Sequence, residues 1–125
     1  MKTVLITGSN GTIGQGLCQS FKEKGWKVIG IDLEKNSLGN TSAYLSIDLD
    51  QLCKDISYQI ESTNLIIEEC EKGLDILINN AATQILAPLE KLTFQNWEKT
   101  ININLNSVFI LIKALLPMLE KVKGN

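Results

Sequence analysis

Short apolar runs and longer amphipathic stretches alternate along this chain of 125 residues. Val4-Leu5-Ile6, Val28-Ile29 and Leu74-Asp75-Ile76-Leu77-Ile78 are nearly continuous in hydrophobicity, the pattern of strands covered on both faces. They predict strands at 2–7, 27–32 and 74–78, with Tyr44-Leu45-Ser46-Ile47 as a further one, third in sequence order. Ile13, Leu17 and Phe21 recur at a spacing of four and predict a helix over 12–24, with Gly25 placed to end it. Leu52, Ile56 and Ile60 begin a second amphipathic helix, with Ser62-Thr63-Asn64 as a candidate interruption; Leu65-Ile66-Ile67 reads as helix because Glu68 to Lys72 continues it. Glu34 to Ser42 is polar and reads as loop, and a loop through Pro88 leads to a long helix from Thr93 to Val122. Ile101, Leu105, Val108, Ile112, Leu115 and Leu119 give that helix an apolar stripe, and Pro117 is expected to kink or tighten its last turns. Strands alternating with helices imply crossover connections and a parallel sheet in an α/β domain spanning 1–125.

The first strand runs directly into Thr7-Gly8-Ser9-Asn10-Gly11-Thr12-Ile13-Gly14. A glycine trio between a strand and a helix is suited to a phosphate. Gly8 can leave the strand at a backbone angle costly to other residues, Gly11 lets main chain approach a pyrophosphate, and Gly14 lets the helix lie close on the sheet. Main-chain N–H groups and the positive end of the helix dipole would face the anion. The same glycines also suit a plain turn before a tightly packed helix. The ending of a P-loop, Gly-Lys-Ser/Thr, is missing, which disfavours a nucleoside triphosphatase of that kind.

Composition narrows the field. All 12 basic residues are lysines and histidine is absent, so histidine acid–base chemistry and histidine metal sites are excluded. A net charge of −2 without a dense lysine cluster gives no field of the kind that gathers nucleic acid. Cys18, Cys53 and Cys70 are odd in number and too widely spaced for a zinc knuckle, which suggests reduced thiols and a cytoplasmic protein. No apolar run approaches the ~20 residues of a membrane span, and the first residues do not form a signal-peptide core.

Asp32 closes the second strand, 18 residues after Gly14. In a Rossmann-like dinucleotide fold an acid at this place accepts hydrogen bonds from the adenosine ribose and repels the extra phosphate of NADP, so NAD is expected over NADP. A turn or cap role would also suit it. Asp48 ends the third strand, where it either contacts the adenine amino group or caps the helix that begins near Asp50.

Asn79-Asn80-Ala81-Ala82 follows the fourth strand. Here the chain resembles the short-chain dehydrogenase/reductases, whose classical members carry Asn-Asn-Ala-Gly. The Thr7-Gly8 turn, Asp32, Asp48-Leu49, Leu74 to Leu77 and Trp97 through Phe109 support the likeness along the whole chain. The resemblance implies a doubly wound parallel sheet, ending after the fourth strand and the following long helix. It implies hydride transfer between a nicotinamide and a small carbonyl or alcohol, and assembly through the 93–122 helix. It places Asn80 and Ala81 against the cofactor and matches Asn104 to an active-site asparagine that holds a water of the proton relay. The alternative for Asn104 is a polar residue in a groove or cap, although asparagine is unfavourable within a helix. The candidate cofactor contacts are Gly8, Ser9, Asn10, Gly11, Thr12, Ile13, Gly14, Asp32, Leu33, Asp48, Leu49, Asn80, Ala81 and Ala82. Asn104 is the catalytic candidate, and no metal ligand is assigned.

Thr12 stands where classical members have glycine, a spacing like that of the extended members that include sugar-nucleotide epimerases, and Ala82 replaces another glycine. The family's serine, tyrosine and lysine normally follow the next strand, which would start where this sequence stops. Neither Tyr44 nor Tyr58 has a lysine four residues later. The chain is therefore expected to be the cofactor-binding half of an oxidoreductase, inefficient by itself. Two alternatives stand beside that: a non-catalytic nucleotide-binding or hetero-oligomerising module, and part of an extended-type epimerase or dehydratase. A sheet lacking further strands would leave the fourth as an exposed edge.

Overall fold

The computed structural model describes all residues from Met1 to Asn125. Strands β1 (Thr3–Thr7), β2 (Lys27–Asp32), β3 (Ala43–Ser46) and β4 (Ile76–Ile78) form one parallel sheet in the order β3-β2-β1-β4. β1 pairs with β2 through Val4 and Val28, and with β4 through Val4 and Ile76. The sheet is doubly wound. All five residues of β1 are buried, with Leu5 on one side and Val4 and Ile6 on the other.

Helix α1 (Thr12–Glu23) covers the Val4/Ile6 side with Leu17, Cys18 and Phe21, and Trp26 meets Phe21 edge to face at 5.0 Å. Helices α2 (Leu49–Lys54) and α3 (Ile56–Glu69) cover the other side, where Leu52 and Ile66 join Leu5, Ile29 and Ile31. The helical break falls at Asp55 rather than at Ser62-Thr63-Asn64. Asp55 is extended (φ −123°, ψ 110°) and its carboxylate accepts from Tyr58 N–H at 3.0 Å, so it ends α2 and caps α3. The Thr63 hydroxyl donates back to the Gln59 carbonyl at 2.8 Å, which leaves the helix continuous there.

The long helix is observed in three parts: α4 (Phe94–Ile101), a π turn (Asn102–Asn106) and α5 (Ser107–Val122). Leu111 and Leu115 dock it on the sheet, and α5 continues through Pro117 to Lys123 in the left-handed region (φ 53°). Taken together, Phe94–Val122 is 29 residues long and, by length and composition alone, apolar enough to cross a membrane, although polar residues interrupt its apolar positions and Leu111 and Leu115 are buried in the core. The edge expectation also changes. β4 is the edge strand, but Asn125 N–H donates to the Asp75 carbonyl (2.7 Å) and its own carbonyl accepts from Leu77 N–H (2.9 Å), so the outer side is already partly paired.

Candidate functional site

Gly8 leaves β1 with φ +68°, a conformation that side chains rarely adopt. A Cβ on Gly8 would lie 2.9 Å from Ala81 Cα, and one on Gly14 would collide with the Gly8 carbonyl. Gly11 differs from both, because its added Cβ would meet only the Gly8 carbonyl oxygen, at 3.5 Å. Close packing within the chain therefore requires Gly8 and Gly14, while Gly11 leaves open space in front of the turn. Gly11 also begins α1 without any side-chain cap. The N–H groups of Thr12, Ile13 and Gly14 have no partner within the chain, leaving the positive end of α1 directed at that space.

Asp32 reaches the same space from the end of β2. Its Oδ2 accepts from Asn10 N–H and its Oδ1 from Leu33 N–H, each at 2.8 Å. An ionised carboxylate has about four acceptor positions. The main chain takes two and orients the group, and two stay available for hydroxyls. Asp48 caps α2: its Oδ1 accepts from Asp50 N–H (2.9 Å) and Gln51 N–H (3.2 Å). Its Oδ2 accepts nothing from the chain, so capping and a ligand contact are compatible.

Thr7 ties the glycine turn to the segment after β4. Its hydroxyl oxygen accepts from Asn80 N–H (3.1 Å) and Ala81 N–H (3.0 Å), while Asn80 Nδ2 donates to the carbonyls of Thr7 (3.1 Å) and Gly8 (3.2 Å). Asn80 thus positions the turn with its side chain. Asn104, in the π turn, holds the next stretch: its Nδ2 donates to the Thr83 carbonyl (2.9 Å) and its Oδ1 accepts from Thr83 N–H (2.8 Å). The π turn is itself anchored by Asn102, whose buried Nδ2 donates to Asp50 Oδ1 at 2.9 Å. Burial disfavours the Asp50 charge, but the Asn102 amide, the Lys54 ammonium at 3.0 Å and nearby Lys99 together hold its pKa below the usual carboxylate value.

These elements surround a cavity of about 590 Å³. It is lined by Gly8, Asn10, Gly11, Thr12, Ile13, Gly14, Asp32, Leu33, Asp48, Leu49, Asn80, Ala81 and Ala82. Two candidates lie elsewhere. The Ser9 side chain is fully buried and turned toward β2, where a Cβ on Gly30 would lie 2.7 Å from its Oγ. Asn104 contributes through Thr83, which does line the cavity. Ile13 and Leu33 remain largely exposed at the cavity, so Ile13 serves this wall rather than the face that Leu17 and Phe21 bury. Sequence reasoning missed Ile31, Glu34, Ile47, Thr83, Lys99 and Ile103. Lys99 and Ile103 were detectable as a pair one helical turn apart, and Glu34 as a second acid after β2. Both tyrosines serve the scaffold: Tyr44 OH donates to the Glu34 carbonyl (2.6 Å), and Tyr58 OH accepts from Asp48 N–H (3.0 Å).

Known proteins are similar to this chain in sequence and fold. A rhamnolipid-biosynthesis 3-oxoacyl-acyl-carrier-protein reductase of Pseudomonas aeruginosa is 33% identical over 124 residues, which cover 96% of this chain and 48% of that protein. A galactitol 2-dehydrogenase of Agrobacterium fabrum is 31% identical over 132 residues, covering 99% and 50%. Among solved structures, 4-hydroxyisoleucine dehydrogenase complexed with NADH superposes with a TM-score of 0.81 at 27% identity, over 99% of this chain and 52% of the other. A short chain dehydrogenase from Leptospira borgpetersenii with bound NAD+ gives 0.77 at 31% identity, over 96% and 46%. The chain thus spans about half the length of the relatives it matches. The family model for short chain dehydrogenases matches residues 2–125, so the strands, the cavity and the long helix all fall within the match, and this chain belongs to the short-chain dehydrogenase family.

Proposed function

We propose that this chain is the NAD-binding portion of an oxidoreductase that interconverts a small carbonyl compound and its alcohol. The observation that carries the reading is the placement of the Asp32 carboxylate in the same cavity as the uncapped start of α1. The free N–H groups of Thr12, Ile13 and Gly14 are suited to a pyrophosphate, and the two remaining acceptor positions of Asp32 to the adenosine ribose hydroxyls. Asp48 Oδ2 and the apolar side chains of Leu33, Leu49 and Ile103 offer a slot for the adenine. When bound, the nicotinamide cofactor supplies or accepts the hydride. Asn80, clamped to Thr7 and Gly8, sets the spacing between the turn and the segment after β4, and Asn104 fixes Thr83 beyond it. Preference for NAD follows from the Asp32 charge, which would oppose the 2′-phosphate of NADP.

Titration of the chain with NAD and NADP tests the reading. Saturable binding of NAD, tighter than that of NADP and weakened at least tenfold by Asp32→Ala, is expected. Absence of NAD binding would sink the assignment, and equal affinity for the two would sink the preference.

A role in pairing with a second subunit is supported by the exposure of Phe94, Trp97, Leu105, Phe109, Ile112 and Leu116 along the long helix. Sedimentation should find a species heavier than the 13.8 kDa chain; a strictly monomeric protein at high concentration would remove that role. The three free cysteines accord with a reducing, cytoplasmic setting.

A further inference from the structure

Glu34 follows Asp32 by two residues and lines the same cavity. Its position is fixed at both ends. Asn10 Nδ2 donates to Glu34 Oε2 at 3.1 Å, and Tyr44 OH donates to the Glu34 main-chain carbonyl at 2.6 Å. Asn10 is only 6% exposed and is itself held: its amide also donates to the Asn36 carbonyl (3.0 Å) and toward Tyr44 OH (3.2 Å), and its Oδ1 accepts from Leu38 N–H (2.8 Å). The main-chain N–H of this same residue donates to Asp32 Oδ2. One residue of the glycine turn therefore holds two carboxylates, Asp32 by its backbone and Glu34 by its side chain. The Tyr44 hydroxyl faces both, and its pKa is pushed up by burial and by the charges of Asp32 and Glu34. The single lysine lining the cavity, Lys99, comes from α4 and lies near Asp50.

We propose that Glu34 is a second cofactor-selecting residue, positioned by Asn10, so that a 2′-phosphate on the adenosine ribose meets two fixed carboxylates instead of one. This rests on the reading of the cavity as a dinucleotide site with Asp32 at the ribose. The Glu34 carboxylate accepts from Asn10 Nδ2 through Oε2 and lines the cavity beside Asp32. Removing its charge should therefore relieve repulsion of the phosphate without disturbing the rest of the nucleotide.

Calorimetric titration of the chain with 5′-AMP and with 2′,5′-ADP (adenosine 2′,5′-bisphosphate) tests this, because the two probes differ only at the ribose 2′ position. Glu34→Gln keeps an acceptor for Asn10 and removes the charge. It should tighten 2′,5′-ADP by about three- to tenfold while changing 5′-AMP less than about twofold. Glu34→Lys should tighten 2′,5′-ADP further, and Asp32→Asn combined with Glu34→Gln should exceed either change alone. If Asp32→Asn tightens 2′,5′-ADP but neither Glu34 variant does, the role of Glu34 is overturned while the dinucleotide reading stands. If the unaltered chain binds neither 5′-AMP nor NAD, the dinucleotide reading fails and takes this proposal with it.

Discussion

Asn104 and Thr83 are joined by two hydrogen bonds of opposite direction, so the asparagine side chain pairs with one residue's main chain much as a neighbouring strand would. The segment after β4 has no regular structure between Asn79 and Pro88, and this pair pins it to the long helix. Asn104→Ala should cost about 1 kcal/mol, since both bonds are exposed. It should also speed amide exchange at Thr83 far more than at Leu5. Asn104→Asp would keep the bond from Thr83 N–H and lose the one to its carbonyl, giving an intermediate effect. Unchanged exchange at Thr83 in the alanine variant would show that the segment is held by other contacts.

Gly14 is required for packing whatever the cavity binds. An added Cβ would lie 2.8 Å from both the Gly8 carbonyl carbon and Ser9 Cα, with the carbonyl oxygen closer still. Gly14→Ala should destabilise the fold by about 1–3 kcal/mol. Gly16, two residues on in the same helix, has nothing within 4 Å of an added Cβ, so Gly16→Ala should stabilise by about 0.5–1 kcal/mol. Urea unfolding of both variants checks the contrast, and equal shifts would contradict it.

The turn around Thr7 to Gly14 and the acid at Asp32 were legible because strand–turn–helix punctuation and spacing are local properties. What sequence could not show was direction. Ser9 lies among cavity residues in sequence, yet its side chain is buried over Gly30 because the backbone reverses at Gly8. Asp48 offered two roles, and the structure accommodates both because one oxygen carries the whole cap. The break at Asp55 escaped notice because an acid that closes one helix and opens the next leaves the apolar spacing undisturbed.

Asp50 should give the fold an acid-sensitive component. Its pKa is lowered in the folded chain by Asn102, Lys54 and Lys99 acting against burial, so the stabilisation is complete above the unfolded value of about 4. It is lost as pH falls through the lower folded value. Asp50→Asn should flatten stability against pH below about pH 4, measured by urea midpoints. A variant curve parallel to the parent would exclude Asp50 as a source of that slope.

The three thiols should be inert in the native protein. Burial pushes Cys53 and Cys70 up to about 11, helped at Cys53 by the charges of Asp50 and Asp48, and burial also raises Cys18. At pH 8 iodoacetamide should modify Cys53 about a hundredfold more slowly than in the unfolded chain. Mass spectrometry of timed samples reads this directly, and rapid native alkylation of Cys53 would contradict it.

The π turn has a consequence for how the long helix divides its duties. One additional residue in a helical turn rotates everything after it by about 100° relative to a regular helix. Asn102 can therefore point inward to Asp50 and Asn104 toward Thr83, while Leu111 and Leu115 still meet the sheet. The insertion works as a phase adjuster. It lets the segment that shapes the cavity and the segment that seats the helix follow separate angular registers along one axis, so a substitution suited to one need not misalign the other.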